Sequence, residues 1–347
     1  MRNLKGLLFT CALVAISFTG FSQTALEYMQ KISAETKKIQ KDMWDYTNAV
    51  SHGKSARKVE KRRAELIQTS QQALNRVKNM NAFDGSTSYR DSVVAFLNIN
   101  YYVLKEDYAK IVDMEEIAEK SYDNMEAYLM AQEGANTKMR ESGVMVGSQQ
   151  AVFAAKNDIT LITNEDDELS QKMKIASEVY AHYNKVYLIF FKSYIQESYL
   201  MVAITNKDVS AIEQNKDALA NTANEGLELL TAIEAFNNDN SVVNACRNML
   251  KFYKDESENK ITIVTDYFLK AENYATINES FSQIKKKDVT QEDADKINNA
   301  GTEMNAAIEA YNKNNDTMNS ERAENLEAWN KAVSKFTDKH VPKGKVK

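Results

Sequence analysis

The stretch VYLIFFKSYIQESYLMVAI, residues 186–204, is the most hydrophobic part of the chain that follows the N-terminal segment 1–22. On a helix its aromatic residues share one broad face with Val202, whereas Lys192 and Ser193 fall on the opposite side. These aromatic residues are Tyr187, Phe190, Phe191 and Tyr194. A charge such as Lys192 or Glu197 would cost about 2.5–3.5 kcal/mol near the middle of a bilayer. The stretch therefore predicts a central core helix covered by several neighbours, with a pore-forming hairpin as the alternative.

The rest of the chain favours helices as well. Pro342 is the only proline and glycine occurs 10 times in 347 residues, too few turn residues for a β-rich fold. Hydrophobic periodicity gives eight expected helices. They span residues 24–51, 55–80, 87–132, 148–162, 167–205, 208–236, 240–283 and 290–337. Most breaks between them are short, so the sequence predicts an all-α, antiparallel bundle of long helices, with one long mobile loop at 134–147.

A weaker pattern indicates an internal repeat. The segment LNRVKNMNAFD at 74–84 aligns without a gap to LELLTAIEAFN at 227–237. The same offset aligns 111–129 with 264–282. The pattern predicts two tandem, similar helical units at 23–163 and 164–337, followed by a basic C-terminal tail at 338–347.

The N-terminus has the plan of a secretory signal peptide. Arg2 and Lys5 precede an apolar run, and small residues precede Gln23. We expect residues 1–22 to be removed between Ser22 and Gln23, which places the protein in the periplasm or at the cell surface. A retained anchor is the alternative. Cys11 lies inside the apolar run, a position that favours a filling role over lipid attachment.

The net charge limits the classes of expected binding partner, and the cysteine content limits the disulfides that the chain can form. Loss of Arg2 and Lys5 would change the net charge from −5 to −7, so neither nucleic acid nor an anionic membrane surface is an expected partner. Cys246 would be the one remaining cysteine, which leaves no internal disulfide. No transmembrane segment is expected in the mature chain.

No pattern in the sequence is typical of catalysis. A di-iron bundle would need Glu-x-x-His pairs, and none of the three histidines follows a glutamate at that spacing. Glu178 precedes His182 by four residues, a spacing that fits a local charge pair better than half of a metal site. Cys246 lies on an apolar helical face, where an inert buried thiol is usual. We expect no enzyme activity, no metal and no cofactor.

The last predicted helix carries a stripe of residues at intervals of three or four. It runs through Met304, Ile308, Tyr311, Asn315, Met318, Arg322, Leu326, Trp329, Val333 and Phe336. Asn315 and Arg322 would face the interior, so a carboxylate is expected opposite Arg322. One interpretation is a polar layer that fixes register; the other is a polar cavity for a ligand. The candidate ligand-binding residues are Tyr187, Phe191, Tyr194, Asn315 and Arg322.

Three stretches carry a resemblance to known proteins. EKSYDNMEAYLMAQE (119–133), NKVYLIFFKSYIQESYL (184–200) and RAENLEAWNKAVSKFTDKHVP (322–342) together resemble an uncharacterised family of all-helical surface proteins of Gram-negative bacteria. The resemblance implies an envelope or surface location and brings no activity or site residues. The duplicated architecture is also similar to that of imelysin-type envelope proteins, but their His-x-x-Glu motif is absent at His182.

These observations favour an exported envelope or surface protein with a non-catalytic binding or scaffolding role. The expected partner is an envelope or extracellular protein, or a small ligand. The alternative is a small-ligand-binding helical bundle with an aromatic pocket.

Overall fold

The computed structural model describes residues 20–52, 55–161 and 167–344. In these residues the α-helices are α1 (Gly20–Ser51), α2 (Ala56–Lys78), α3 (Ser88–Tyr102), α4 (Tyr108–Ala118), α5 (Tyr122–Lys156), α6 (Glu168–Thr205), α7 (Val209–Leu229), α8 (Ser241–Asp255), α9 (Ile261–Gln283) and α10 (Gln291–His340). Five-residue π-helical turns join α3 to α4 (Val103–Asp107) and α8 to α9 (Glu256–Lys260). Short 3₁₀ turns occur at Leu230–Ala232 and Lys286–Asp288.

The all-α prediction is confirmed, since no β-strand forms in the described residues. The predicted signal peptide lies almost wholly outside them, because the described part of the chain starts at Gly20. None of the helices described is long and apolar enough to cross a membrane.

One expected loop is instead a helix. Residues 134–147, predicted as mobile, lie inside α5, and the predicted helix 87–132 ends at Ala118. Ser121 starts α5, where its side chain accepts a hydrogen bond from the backbone N–H of Asn124 at 3.2 Å. Three glycines lower the helix propensity of α5 by about 1 kcal/mol each. Burial of residues such as Met139 and Val146 on the opposite face offsets that cost.

The described residues form two compact units. Unit 1 contains those up to Asn184 together with those from Lys335 onward, and unit 2 contains Lys185–Ser334. Helices α6 and α10 each contribute residues to both units. This division by packing differs from the predicted boundaries of the repeat, which stay a prediction.

In unit 1, α1 packs on α2, α2 on α3, and α3 and α4 on α5. The last residues of the chain complete this packing. Trp44 is fully buried, and its indole N–H donates to the carbonyl oxygen of Gly344 at 2.8 Å. Phe336 is also buried and lies beside the ring of His182, with 5.6 Å between the ring centroids. The C-terminal end of α10 is therefore part of the core of unit 1.

In unit 2, α7 packs on α8 and α9, and the hydrophobic stretch of α6 supplies much of the core. A Cβ at the buried Gly226 would lie 2.9 Å from the side chain of Leu250, so α7 and α8 approach closely there. Two details of the predicted core face are wrong. Ser193 is buried and donates to Thr222 on α7 at 3.2 Å, whereas Val202 is exposed. Helix α6 is thus covered on its supposed polar side, where α7 packs.

Some features of unit 1 recur in unit 2 at equivalent places in the sequence. The π-helical turns begin at Val103 and at Glu256, and α4 and α9 follow them. The turns before α3 and α8 place Asp84 and Asn237 at positive φ. Both pairs have the offset of the predicted repeat, and a common origin of the two units stays a prediction.

Candidate functional site

A charged cluster lies in the core of unit 2. Arg322 on α10 donates from Nε to Oε1 of Glu197 on α6, and from Nη2 to Oε1 of Glu256 at the start of the second π-helical turn. Its Nη1 donates to the side-chain oxygen of Asn319 at 2.7 Å, and Nη2 lies 3.4 Å from the sulfur of Met201. The expected carboxylate opposite Arg322 is confirmed, and there are two.

The local helix geometry explains how Glu256 enters the core. The inward face of α8 includes Cys246, Met249 and Tyr253, and Glu256 follows Tyr253 by three residues. It is therefore carried on the same face, with 0% of its surface exposed. The side chain of Arg322 is 16% exposed, so the guanidinium reaches the two carboxylates from the edge of the core.

Burial has the largest effect on the pKa of Glu256. It raises the pKa of this carboxyl, with the nearby charge of Glu197 adding to the rise, and Arg322 only partly opposes them. The resulting pKa is about 8, so Glu256 keeps its proton at neutral pH. Glu197 is a hydrogen-bonding neighbour of this carboxyl, yet Oε2 of Glu256 meets full hydrogen-bond geometry with no group in the described residues.

Tyr253 is the neighbouring polar group. It is fully buried, and burial first, then the charges of Glu197 and Glu256, hold the pKa of its hydroxyl well above the ordinary value. Glu197 is also its hydrogen-bonding neighbour, yet no acceptor in the described residues meets full hydrogen-bond geometry with this hydroxyl. Within the described core of unit 2, one polar atom on Tyr253 and one on Glu256 are thus poorly satisfied.

The fold does not require these charges. At the offset of the predicted repeat, Glu256 corresponds to Val103, which is buried at the first residue of the other π-helical turn. Glu197 corresponds in the same way to Trp44, which is also buried. In unit 1 a π-helical turn therefore forms with apolar residues at the corresponding positions.

The predicted aromatic residues pack on each other along α6. The ring centroids of Tyr187 and Phe191 are 5.8 Å apart, and those of Phe191 and Tyr194 are 5.9 Å apart. Phe190 stacks on Trp329 of α10 with 4.4 Å between centroids. These rings fill core space beside the cluster.

The two polar residues predicted in the stripe of the last helix, Asn315 and Arg322, differ in role. Arg322 joins the cluster, whereas Asn315 is only half-buried. The buried amide is that of Asn314, which donates to the carbonyl oxygen of Lys260 at 3.0 Å. That carbonyl belongs to the last residue of the π-helical turn, so α10 holds both ends of the turn.

Sequence reasoning missed Glu197, Glu256, Tyr253 and Asn314. A signal for Glu197 was available, because it is the acidic residue inside the most hydrophobic stretch. A signal for Glu256 was available too, because it continues the three- and four-residue spacing of Cys246, Met249 and Tyr253 on the inward face of α8.

The other candidate chemistries have simple local explanations. Within the described residues no three His, Cys, Asp or Glu side chains lie close enough to hold a metal ion. Cys246 is buried, and burial raises the pKa of its thiol to about 12, which keeps it protonated.

A second feature is an exposed face of α5 in unit 1. Its large apolar residues are Met130, Val144, Met145 and Val152, which are 69%, 67%, 57% and 62% exposed. The segment SGVMVGSQQAVFAA at 142–155 contains no charged residue, and exposed Glu141 and Lys156 stand at its two ends. Such a run on a solvent-facing helix is typical of an interaction surface.

Comparison of the chain with models of protein families, with curated proteins and with solved structures finds no match.

Proposed function

We propose that the protein is exported to the cell envelope or surface and has a non-catalytic binding or scaffolding role. The observation that carries the proposal is the exposed side of the uncharged segment 142–155 of α5. The signal-peptide pattern of residues 1–22 and the resemblance to helical surface proteins support the location.

The α5 face favours binding because it leaves large apolar side chains exposed to water. Val144, Met145 and Val152 are each more than half exposed on one helix. Covering such side chains returns about 25 cal/mol for each Å² of apolar surface removed from water. A partner of suitable shape would gain this energy without disturbing the core, which lies on the opposite face of α5.

In-cell photo-crosslinking tests the proposal. A photoreactive residue at Met145 or Val152 should give a covalent adduct on illumination, whereas the same residue at Val202 on α6 should not. Val202 is a matched control because it is 59% exposed. The crosslinked protein should fractionate with the envelope. The intact mass of the protein that has not crosslinked should correspond to a chain that begins at Gln23. Cytoplasmic protein, or equal labelling at all three positions, would refute the proposal.

A second candidate function is a small-ligand-binding bundle. The observation that favours it is the pair of poorly satisfied polar atoms on Tyr253 and Glu256. Native mass spectrometry of gently purified protein should then show a copurifying small molecule that is lost in Glu256→Gln and kept in Glu258→Gln. Retention in both variants, or no bound molecule in the parent protein, excludes this site.

A further inference from the structure

We propose that a second copy of this chain covers the α5 face, in an antiparallel helix pair centred between Ser148 and Gln149. The inference rests on the proposed binding function and names the partner of that same surface.

The exposed residues of α5 form a continuous seam. Glu141, Met145, Ser148, Val152 and Ala155 follow one another at intervals of four, three, four and three, and all are exposed. This alternation is the spacing at which two helices pack along their length. Val144 lies at the edge of the seam and widens its apolar part.

Small residues allow the close approach that such packing needs. Ser148 and Ala155 lie in the seam, and Gly147 and Ala151 beside it are exposed as well. A Cβ at Gly147 would meet nothing within 4 Å, so the surface there is open. Helices that meet through small residues approach to the lower end of the usual range of about 8–10 Å.

Charge complementarity sets the direction of the pair. In an antiparallel pair centred between Ser148 and Gln149, Glu141 faces the second copy's residue 156, a lysine. Met145 then faces the second copy's residue 152, a valine, so the large apolar residues meet across the seam. In a parallel pair, Glu141 would face Glu141 of the second copy and Lys156 would face Lys156 of the second copy. Like charges would then meet, which is unfavourable. The antiparallel arrangement forms two ion pairs related by a two-fold axis.

The size of the seam predicts weak association. Residues 141–156 span about 22 Å of helix at 1.5 Å per residue. One helix pair of this length buries less than the roughly 1,200 Å² of a standard interface. The dimer should therefore form and dissociate reversibly as concentration changes.

Analytical ultracentrifugation of the full chain tests the inference. We expect a concentration-dependent dimer that Val152→Glu weakens by about tenfold or more, since the variant buries a charge against the apolar Met145 of the second copy. Val202→Glu, at an equally exposed valine on α6, should leave association unchanged. Circular dichroism checks that each variant keeps its helices.

A charge exchange tests the register. Glu141→Lys and Lys156→Glu should each weaken the dimer several-fold, and the double variant should restore it, because both ion pairs reform with reversed sign. A monomer at every concentration, or a double variant weaker than both single ones, would overturn the inference. In that case a photo-crosslink from Met145 to a different protein would still uphold the proposed binding function.

Discussion

Replacement of Glu256 by glutamine should change how the stability of unit 2 depends on pH. Glutamine keeps the size and hydrogen-bonding groups of the protonated acid but cannot ionise. In the parent protein, burial and the charge of Glu197 raise the pKa of Glu256 from 4.5 to about 8 in the folded state. The unfolded chain releases this proton near the ordinary value, so the folded state binds more protons between these two pH values.

The sign follows from this difference in bound protons. Because the folded pKa is raised, the stabilisation is fully present below about pH 4.5 and is lost as the pH rises toward about 8. Within that window the free energy of unfolding should fall by at most about 1.4 kcal/mol per pH unit. The whole change is on the order of 3 to 5 kcal/mol, an upper range because the pair with Arg322 can relax.

Urea unfolding followed by tryptophan fluorescence, at several pH values from about 5.5 to about 8.5, measures the effect. Glu256→Gln should remove most of the fall and be more stable than the parent protein at the alkaline end. Glu258→Gln, on the same π-helical turn but half-exposed, should retain the parent slope. If the slopes of the parent protein and Glu256→Gln coincide, then Glu256 does not bind a proton in the folded state.

Further substitutions probe the cluster and its helices by the same unfolding measurement. Arg322→Leu should lower the free energy of unfolding by about 3–5 kcal/mol at alkaline pH and by less below about pH 8, where Glu256 keeps its proton; a loss independent of pH would contradict the pairing. Asn314→Ala should cost about 1–2 kcal/mol by leaving a buried carbonyl without its donor, whereas Asn315→Ala should stay within about 0.5 kcal/mol, and equal losses would show that the wrong amide has been assigned. Gly226→Ala should destabilise by about 1–3 kcal/mol because its Cβ would meet a core leucine, whereas Gly134→Ala, in open space, should stabilise by about 0.5–1 kcal/mol.

The helical class was predictable because it follows from local chemistry. Scarce proline and glycine and a regular spacing of apolar residues act within a few residues along the chain. The same local reasoning failed at 134–147, where Gly134, Gly143 and Gly147 indicate a loop. Tertiary burial of the opposite face of α5 outweighs their weak preference against helix.

The candidate site was only half predictable for a related reason. Arg322 could be identified from its stripe, and the need for a carboxylate follows from the cost of burying an unpaired charge. Which carboxylates meet it depends on how α6, α8 and α10 pack. Asn315 was chosen in place of Asn314 because neighbouring positions on a helix differ by about 100° and the stripe is broad.

The contribution of the last residues to unit 1 affects the order in which the chain can fold. Unit 2 is the continuous range 185–334, so the residues that pack on each other in this unit are synthesised one after another. Trp44 precedes unit 2 in the sequence, but its hydrogen-bond partner, the carbonyl of Gly344, follows unit 2, 300 residues later. A ribosome must therefore synthesise all of residues 185–334 before unit 1 can close. Synthesis of unit 1 thus begins before that of unit 2 and is completed after it, and until then the open core of unit 1 is exposed to chaperones and proteases.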